Sequence, residues 1–245
     1  MINLINIKAD ESEQYIYRIM PIDRLLESFE NQSLALVEPA KWDDPFENLL
    51  LKGLVPHSSN DAITSKLFRN SIYGQCWTLH RETDAMWRIY SADKHGVKVR
   101  TTIRKLIDSL LQSAEGYERE SCFIGKVDYL TQKELVTKLS DIEGMYGINA
   151  AKSLLYKRNE FSHEKEVRLI YTMESKQGRI YKFKVDPHSL FDEIVFDPRM
   201  NKHIYQAYSQ AIKSKGYMGS VRQSVMYQLP KDLVKAFNKA SKRTP

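Results

Sequence analysis

Alternating and helical spacings of apolar side chains divide the 245-residue chain into short elements. Residues 15–20 (YIYRIM) read as a β-strand, since β-branched and aromatic side chains suit a pleated, half-buried surface. A helix is predicted over about 21–32: Pro21 and Asp23 open it, and Ile22, Leu25, Leu26 and Phe29 fall on one stripe. LALVEP (34–39) is a second strand, and KWDDPFENLL (41–50) breaks the pattern at Pro45 and reads as a loop leading into a short helix. YGQCWTLH (73–80) is a third strand, followed by helical spacing in DAMWRIYSA (84–92). Residues 96–102 alternate like a strand, and 103–113 form an amphipathic helix with Ile103, Leu106, Ile107, Leu110 and Leu111 on one face. Further strands are expected at 122–130, 167–172, 179–185, 193–198 and 220–227. Between them lie a mostly helical stretch over 131–159, broken at Gly144 or Gly147, and a helix over 201–215 that ends at Gly216. This order mixes hairpin-like and crossover connections. It implies an α+β domain spanning 1–245, with a mixed, mainly antiparallel sheet flanked by helices.

Composition narrows the function classes. With 42% hydrophobic and 28% charged residues the chain is globular rather than disordered. It holds no apolar run of about 18 residues and no basic, hydrophobic leader, so the cytosol is the expected location, with no membrane partner. Two isolated cysteines, Cys76 and Cys122, argue against a disulfide framework or a structural zinc site, and no metal is expected. A net charge of +6 permits attraction to nucleic acid or other anions; the basic cluster Lys231, Lys235, Lys239, Lys242 and Arg243 reads as one face of a C-terminal helix at about 230–245.

Four constellations could carry chemistry. Arg18, flanked by Ile16 and Ile19 in the first strand, snorkels, pairs with an interior carboxylate, or binds a phosphate through two parallel hydrogen bonds. Trp42, Asp43, Asp44, Phe46 and Glu47 interleave aromatic rings with carboxylates; Asp44 can cap a helix while Trp42 and Phe46 wall a pocket. Met86, Trp87 and Tyr90 share one side of a helix, as core or as a ligand platform behind Cys76 and Thr78. Finally, Glu164, Glu166 and Arg168 alternate into the strand LIYT and would line one face. Two like charges at that spacing need compensation. Either Arg168 supplies it within a structural network, or the carboxylates meet a ligand sugar and stabilise positive charge at its anomeric carbon.

Taken together, YR (17–18), WDDPFE (42–47), CWT (76–78), MWxxY (86–90), HG (95–96), VDY (127–129) and FSHEKEVR (161–168) resemble a bacterial family catalogued as a domain of unknown function. The ordered match covers about residues 15–172, and Asp43, Thr78, Phe161 and Val167 depart from the family's Asn, Ser, Trp and Trp. That family in turn resembles ADP-ribosyltransferases, which carry Arg, Ser/Thr and E-x-E in this order on core strands. The resemblance implies a split mixed sheet and NAD as substrate. In it, Arg18 grips phosphate or ribose, Thr78 supports the nicotinamide ribose and the catalytic Glu, Glu166 binds the ribose 2′-OH and stabilises the cation as nicotinamide leaves, and Glu164 orients or activates the acceptor. Tyr17, Trp42, Phe46, Trp87 and Tyr90 would wall the nicotinamide pocket, with Asp44 and Arg168 as further cofactor contacts. It also implies a macromolecular acceptor, nucleic acid or protein, and the biology of a toxin or phage-defence effector with a neutralising antitoxin or regulator. Two other readings compete: a nucleic-acid-binding or regulatory module in which Arg18 and Glu166 form a core ion network, and a Mg²⁺-dependent nuclease built on Asp43, Asp44, Glu47 and Glu164.

Overall fold

The computed structural model describes residues 3–39, 42, 72–142, 147–173 and 178–230. Its strands are β1 (Leu4–Ile5), β2 (Tyr15–Pro21), β3 (Ser33–Val37), β4 (Ile72–Thr78), β5 (Gly96–Thr102), β6 (Cys122–Lys126), β7 (Asp128–Leu130), β8 (Tyr156–Arg158), β9 (Glu166–Thr172), β10 (Ile180–Lys184), β11 (Glu193–Phe196) and β12 (Ser220–Gln223). The α-helices are α1 (Ile22–Asn31), α2 (Asp84–Tyr90), α3 (Ile103–Ser113), α4 (Gln132–Ser140), α5 (Gly147–Ser153), α6 (Pro187–Leu190) and α7 (Lys202–Ser214). The expected α+β class with a mainly antiparallel sheet holds: among the described residues ten strands form one sheet, in which only β1–β6 and β11–β12 pair parallel.

Local chemistry sets the element ends. Thr102 and Thr83 cap α3 and α2 by accepting from the amides of Lys105 and Met86, and Gln32, at φ 46°, turns the chain from α1 straight into β3. Three expectations need correction. The strand expected over 122–130 breaks at Val127, where the chain leaves the main sheet to form a two-stranded parallel ribbon, β7–β8. That ribbon takes Tyr156–Arg158 out of the stretch expected to be helical. The last strand stops at Gln223 rather than at 227. The loop at 41–50 apart from Trp42, and the basic segment at 231–245, lie outside the described residues.

Successive side chains of β9 divide between the two faces of the sheet. Leu169 joins Ile16, Leu25, Leu106 and Ile212 in the larger core beneath α1, α3 and α7, while Ile170 joins Phe123, Leu135 and Ala150 in a second core under α4 and α5. Every residue of β9 is buried, between β6 and β4 in the sheet.

The pairing around β4 positions the site. On one side β4 pairs with β9 along its whole length, from Ile72↔Thr172 to Thr78↔Glu166. On the other side it meets β2 only at Tyr17↔Thr78 and β3 only at Val37↔Gly74. The sheet is split there. Because α3 supplies a buried face to the larger core, Leu106→Ala should lower unfolding free energy by about 2–5 kcal/mol at constant m-value in urea titration; a loss below about 1 kcal/mol would contradict this packing.

Candidate active site

The split opens into a cavity of ≈ 580 Å³. Tyr17, Arg18 and Ile19 of β2 all line it, as do Gln75, Cys76, Trp77 and Thr78 of β4. In a closed pleated sheet neighbouring residues point to opposite faces. Consecutive residues can border one space only where the strands have parted, so the cavity occupies the gap itself. Val37 and Trp42 close one end, Met86, Ile89 and Tyr90 of α2 form a wall, and Lys157, Phe161, His163, Glu164 and Glu166 complete the lining. Helix α2 is fixed from behind: Arg199 donates to the carbonyls of Trp87 and Ser91 at 2.9 and 2.7 Å while paired with Asp197.

Arg18 stands on one side of this space. It is half-buried, and among the described residues it has no hydrogen-bond acceptor and no carboxylate partner. Burial pushes its guanidinium down to about 10, so it remains cationic at neutral pH. The interior ion pair considered from sequence is therefore absent among the described residues.

The acids that line the same space lie on β9 and the turn before it. Glu166 is 6% exposed; its Oε2 accepts from Arg168 Nε at 2.8 Å and also from Arg168 Nη2, and its Oε1 is 3.7 Å from Lys157 Nζ. Burial alone would raise this carboxyl, but Arg168 and Lys157 outweigh it, with help from the Cys76 thiol, and hold it below its ordinary value. The Glu166 amide donates to the Tyr129 hydroxyl at 2.8 Å. Glu164 was expected on the strand in register with Glu166. It instead ends a 3₁₀ turn (Asn159–Glu164), and Lys165 at φ 43° swings the chain into β9. The two acids converge all the same, because Lys157 Nζ also bonds Glu164 Oε2 and the Tyr90 hydroxyl donates to Glu164 Oε1 at 3.3 Å. Tyr90 is 42% exposed as a residue, yet its hydroxyl turns inward, and burial with Glu164 nearby raises its pKa, so it stays a donor. Thr78 donates from Oγ1 to the Glu164 carbonyl at 2.6 Å and accepts from the His80 amide, which ties the turn to β4.

Two residues expected to touch the cofactor do not border the cavity. Arg168 is fully buried, donates to the Leu154 carbonyl at 2.6 Å, and backs Glu166 as its counter-ion. Trp42 stacks on it, the guanidinium carbon lying 4.4 Å from the ring centroid, and presents itself to the cavity in its place. That stacking needs Gly74, where an added Cβ would fall 2.7 Å from the Trp42 ring. Trp87 is fully buried and donates its indole N–H to Glu82 at 2.8 Å; Met86, Ile89 and Tyr90 carry the cavity face of α2 instead. Tyr17, Arg18, Trp42, Thr78, Tyr90, Glu164 and Glu166 do line the cavity. Asp43, Asp44, Phe46 and Glu47 lie outside the described residues, and among the described residues no group of three His, Cys, Asp or Glu side chains could hold a metal ion. Sequence reasoning missed Lys157, whose segment reads as helix; no motif sets it apart from other lysines.

Residues 86–169 match the model of a family described as Protein of unknown function (DUF2971). Four of the motifs quoted above (MWxxY, HG, VDY and FSHEKEVR) fall inside the matched stretch, and YR, WDDPFE and CWT precede it. No curated protein matches the chain. Among solved structures, the chain is similar to Thermus sp. 2.9 DarT in complex with ADP-ribosylated ssDNA, at 13% identity, 86% of this chain, 94% of that chain and a TM-score of 0.40. The same protein in complex with NAD⁺ and with carba-NAD⁺ gives 10% and 11% identity, again over 86% of this chain and 96% of that one, with TM-scores of 0.40. No helix among the described residues is long and apolar enough to cross a membrane.

The Glu166 pair makes a pH-dependent contribution. A carboxylate held below its unfolded pKa stabilises the fold above about pH 4.3, and this stability is lost as pH falls through the folded value. Arg168→Met strands that charge, so it should cost about 3–5 kcal/mol at pH 7 and markedly less at pH 4, where Glu166 in the variant takes up its proton. Urea unfolding at both pH values checks this; an equal cost at both would mean that packing, not charge, is what Arg168 supplies.

Proposed function

We propose that the chain is an NAD-dependent ADP-ribosyltransferase acting on a nucleic-acid or protein acceptor. The observation that carries this reading is an Arg18 guanidinium with no partner among the described residues, lining the same cavity of ≈ 580 Å³ as Glu164 and a Glu166 held charged by its cations. That volume falls in the range of small-molecule and cofactor sites. A desolvated guanidinium in such a space favours an anion able to take two parallel hydrogen bonds, as a phosphate can.

With the NAD pyrophosphate on Arg18, the nicotinamide riboside lies between Tyr17, Trp42, Met86 and Tyr90. Glu166, kept charged by Arg168 and Lys157, accepts a hydrogen bond from the ribose 2′-OH. As the bond between the ribose anomeric carbon and nicotinamide breaks, its electron pair leaves with nicotinamide and positive charge grows on the ribose. A fixed carboxylate in a poorly solvated wall stabilises that charge without reorganising. Glu164, oriented by Tyr90 and Lys157, takes the proton of the acceptor group that attacks the anomeric carbon. The resemblance of Arg18, Thr78 and Glu164–Glu166 to the ordered Arg, Ser/Thr and E-x-E of ADP-ribosyltransferases supports these assignments. A metal-dependent nuclease gains no support from the described residues, of which only Glu164 belongs to the acids that reading requires.

Purified protein incubated with NAD should release nicotinamide. Glu166→Gln keeps an amide oxygen for Arg168 and should retain the wild-type circular dichroism while losing about 10²–10³-fold in rate. Arg18→Ala should raise KM for NAD about tenfold or more, the value of one charge-assisted hydrogen bond. Intact NAD after prolonged incubation with nucleic-acid and protein acceptors and cell extract would sink the proposal, as would wild-type turnover by Glu166→Gln.

A further inference from the structure

We infer that Lys157 is a positioning residue for the acid pair: its buried ammonium holds the Glu164 side chain in place and maintains the charge of Glu166 at the cavity wall. This role rests on the transferase reading of the cavity. Two carboxylates in one poorly solvated wall repel each other, and one takes up a proton unless a cation compensates. Arg168 sits behind the wall and uses both its Nε and its Nη2 on one oxygen, Glu166 Oε2. Lys157 works from the cavity side: it bonds Glu164 Oε2 and lies 3.7 Å from the other oxygen of Glu166.

The surroundings fix the ammonium where both acids meet it. Lys157 is 6% exposed, and the Phe161 ring lies 4.6 Å from Nζ. It stands on β8, which pairs in parallel register with β7 and belongs to no larger sheet, Tyr129 lying opposite Lys157. The two-stranded ribbon thus delivers a lysine to the acids and a hydroxyl, Tyr129, to the Glu166 amide. A buried ammonium is costly unless paired. Among the described residues, Glu164 and Glu166 compensate it and both line the cavity, so its compensation and the proposed chemistry share the same atoms.

The groups that face the acids from the elements packed around them are Lys157 of β8, Phe161 and His163 of the 3₁₀ turn, Arg168 of β9, Tyr129 of β7, Cys76 of β4 and Tyr90 of α2. Removing the Lys157 ammonium raises the Glu166 pKa, so the acid limb of turnover moves to higher pH. It leaves the anion anchor, Arg18, untouched.

The test compares pH profiles of nicotinamide release by wild type, Lys157→Met and Lys157→Arg. Lys157→Met should shift the acid limb of kcat upward by about one pH unit or more, while KM for NAD stays within about threefold. Lys157→Arg, which keeps the charge, should leave the limb at its wild-type position. An unmoved limb in Lys157→Met, with lower thermal stability as its sole effect, would overturn the inference. If Lys157→Met does not fold, titration of the Glu166 carboxyl by ¹³C NMR in Lys157→Gln beside the wild type decides: a higher midpoint in the variant supports the inference, and an unchanged one contradicts it. If the wild type releases no nicotinamide the transferase reading fails separately, and the same titration, in wild type and variant, still decides what Lys157 does to Glu166.

Discussion

The site depends on β4 being satisfied on one side and largely released on the other. Pairing with β9 runs the full length of β4, whereas β2 and β3 each touch it through one residue pair, at opposite ends of the gap. Backbone polar groups buried without partners are costly, and a side chain provides part of the repair: Gln75 donates from Nε2 to the Ala35 carbonyl at 2.9 Å and accepts from the Trp77 indole at 2.8 Å. The same parting lets Tyr17, Arg18 and Ile19 border one space. β2 keeps its unbroken pairing with β5 throughout, so only its other edge is freed by the split.

Charge is arranged around the gap in two separate sets. Glu164 and Glu166 are balanced by Lys157 and Arg168, so the acid wall carries paired, ordered charges held at fixed positions. Arg18 belongs to neither pair. Arg18 has no counter-ion among the described residues, and a buried cation without one is expensive to maintain; on the proposed reading, the NAD pyrophosphate relieves that cost. The acid wall then meets the electron-poor part of the same molecule.

Much of the architecture was legible from apolar spacing. Residues 96–102 and 103–113 form the strand and helix that their alternation and their i, i+3, i+4 stripe imply, and Thr102 caps the helix where the period changes. Less legible was anything decided by contacts remote in sequence. Lys157 reads as helix because nothing local announces a two-residue-period strand three residues long whose partner is β7. Trp87 and Met86 are neighbours on one helix, and only the position of α2 over β2 sends the first into the core and the second to the cavity. Arg168 shares the expected face with Glu166, but full burial makes it a counter-ion rather than a ligand contact. Glu164 reached the predicted place by a different route, through a left-handed Lys165 that no alternation rule anticipates.

The most direct test is a crystal structure of the protein with a non-reactive NAD analogue bound. The account predicts density within the split between β2 and β4, with a pyrophosphate oxygen in hydrogen-bond contact with the Arg18 guanidinium and the nicotinamide ribose against Glu166. An analogue seated elsewhere, or a cavity that stays empty while Arg18 pairs with a carboxylate of this chain, would contradict it.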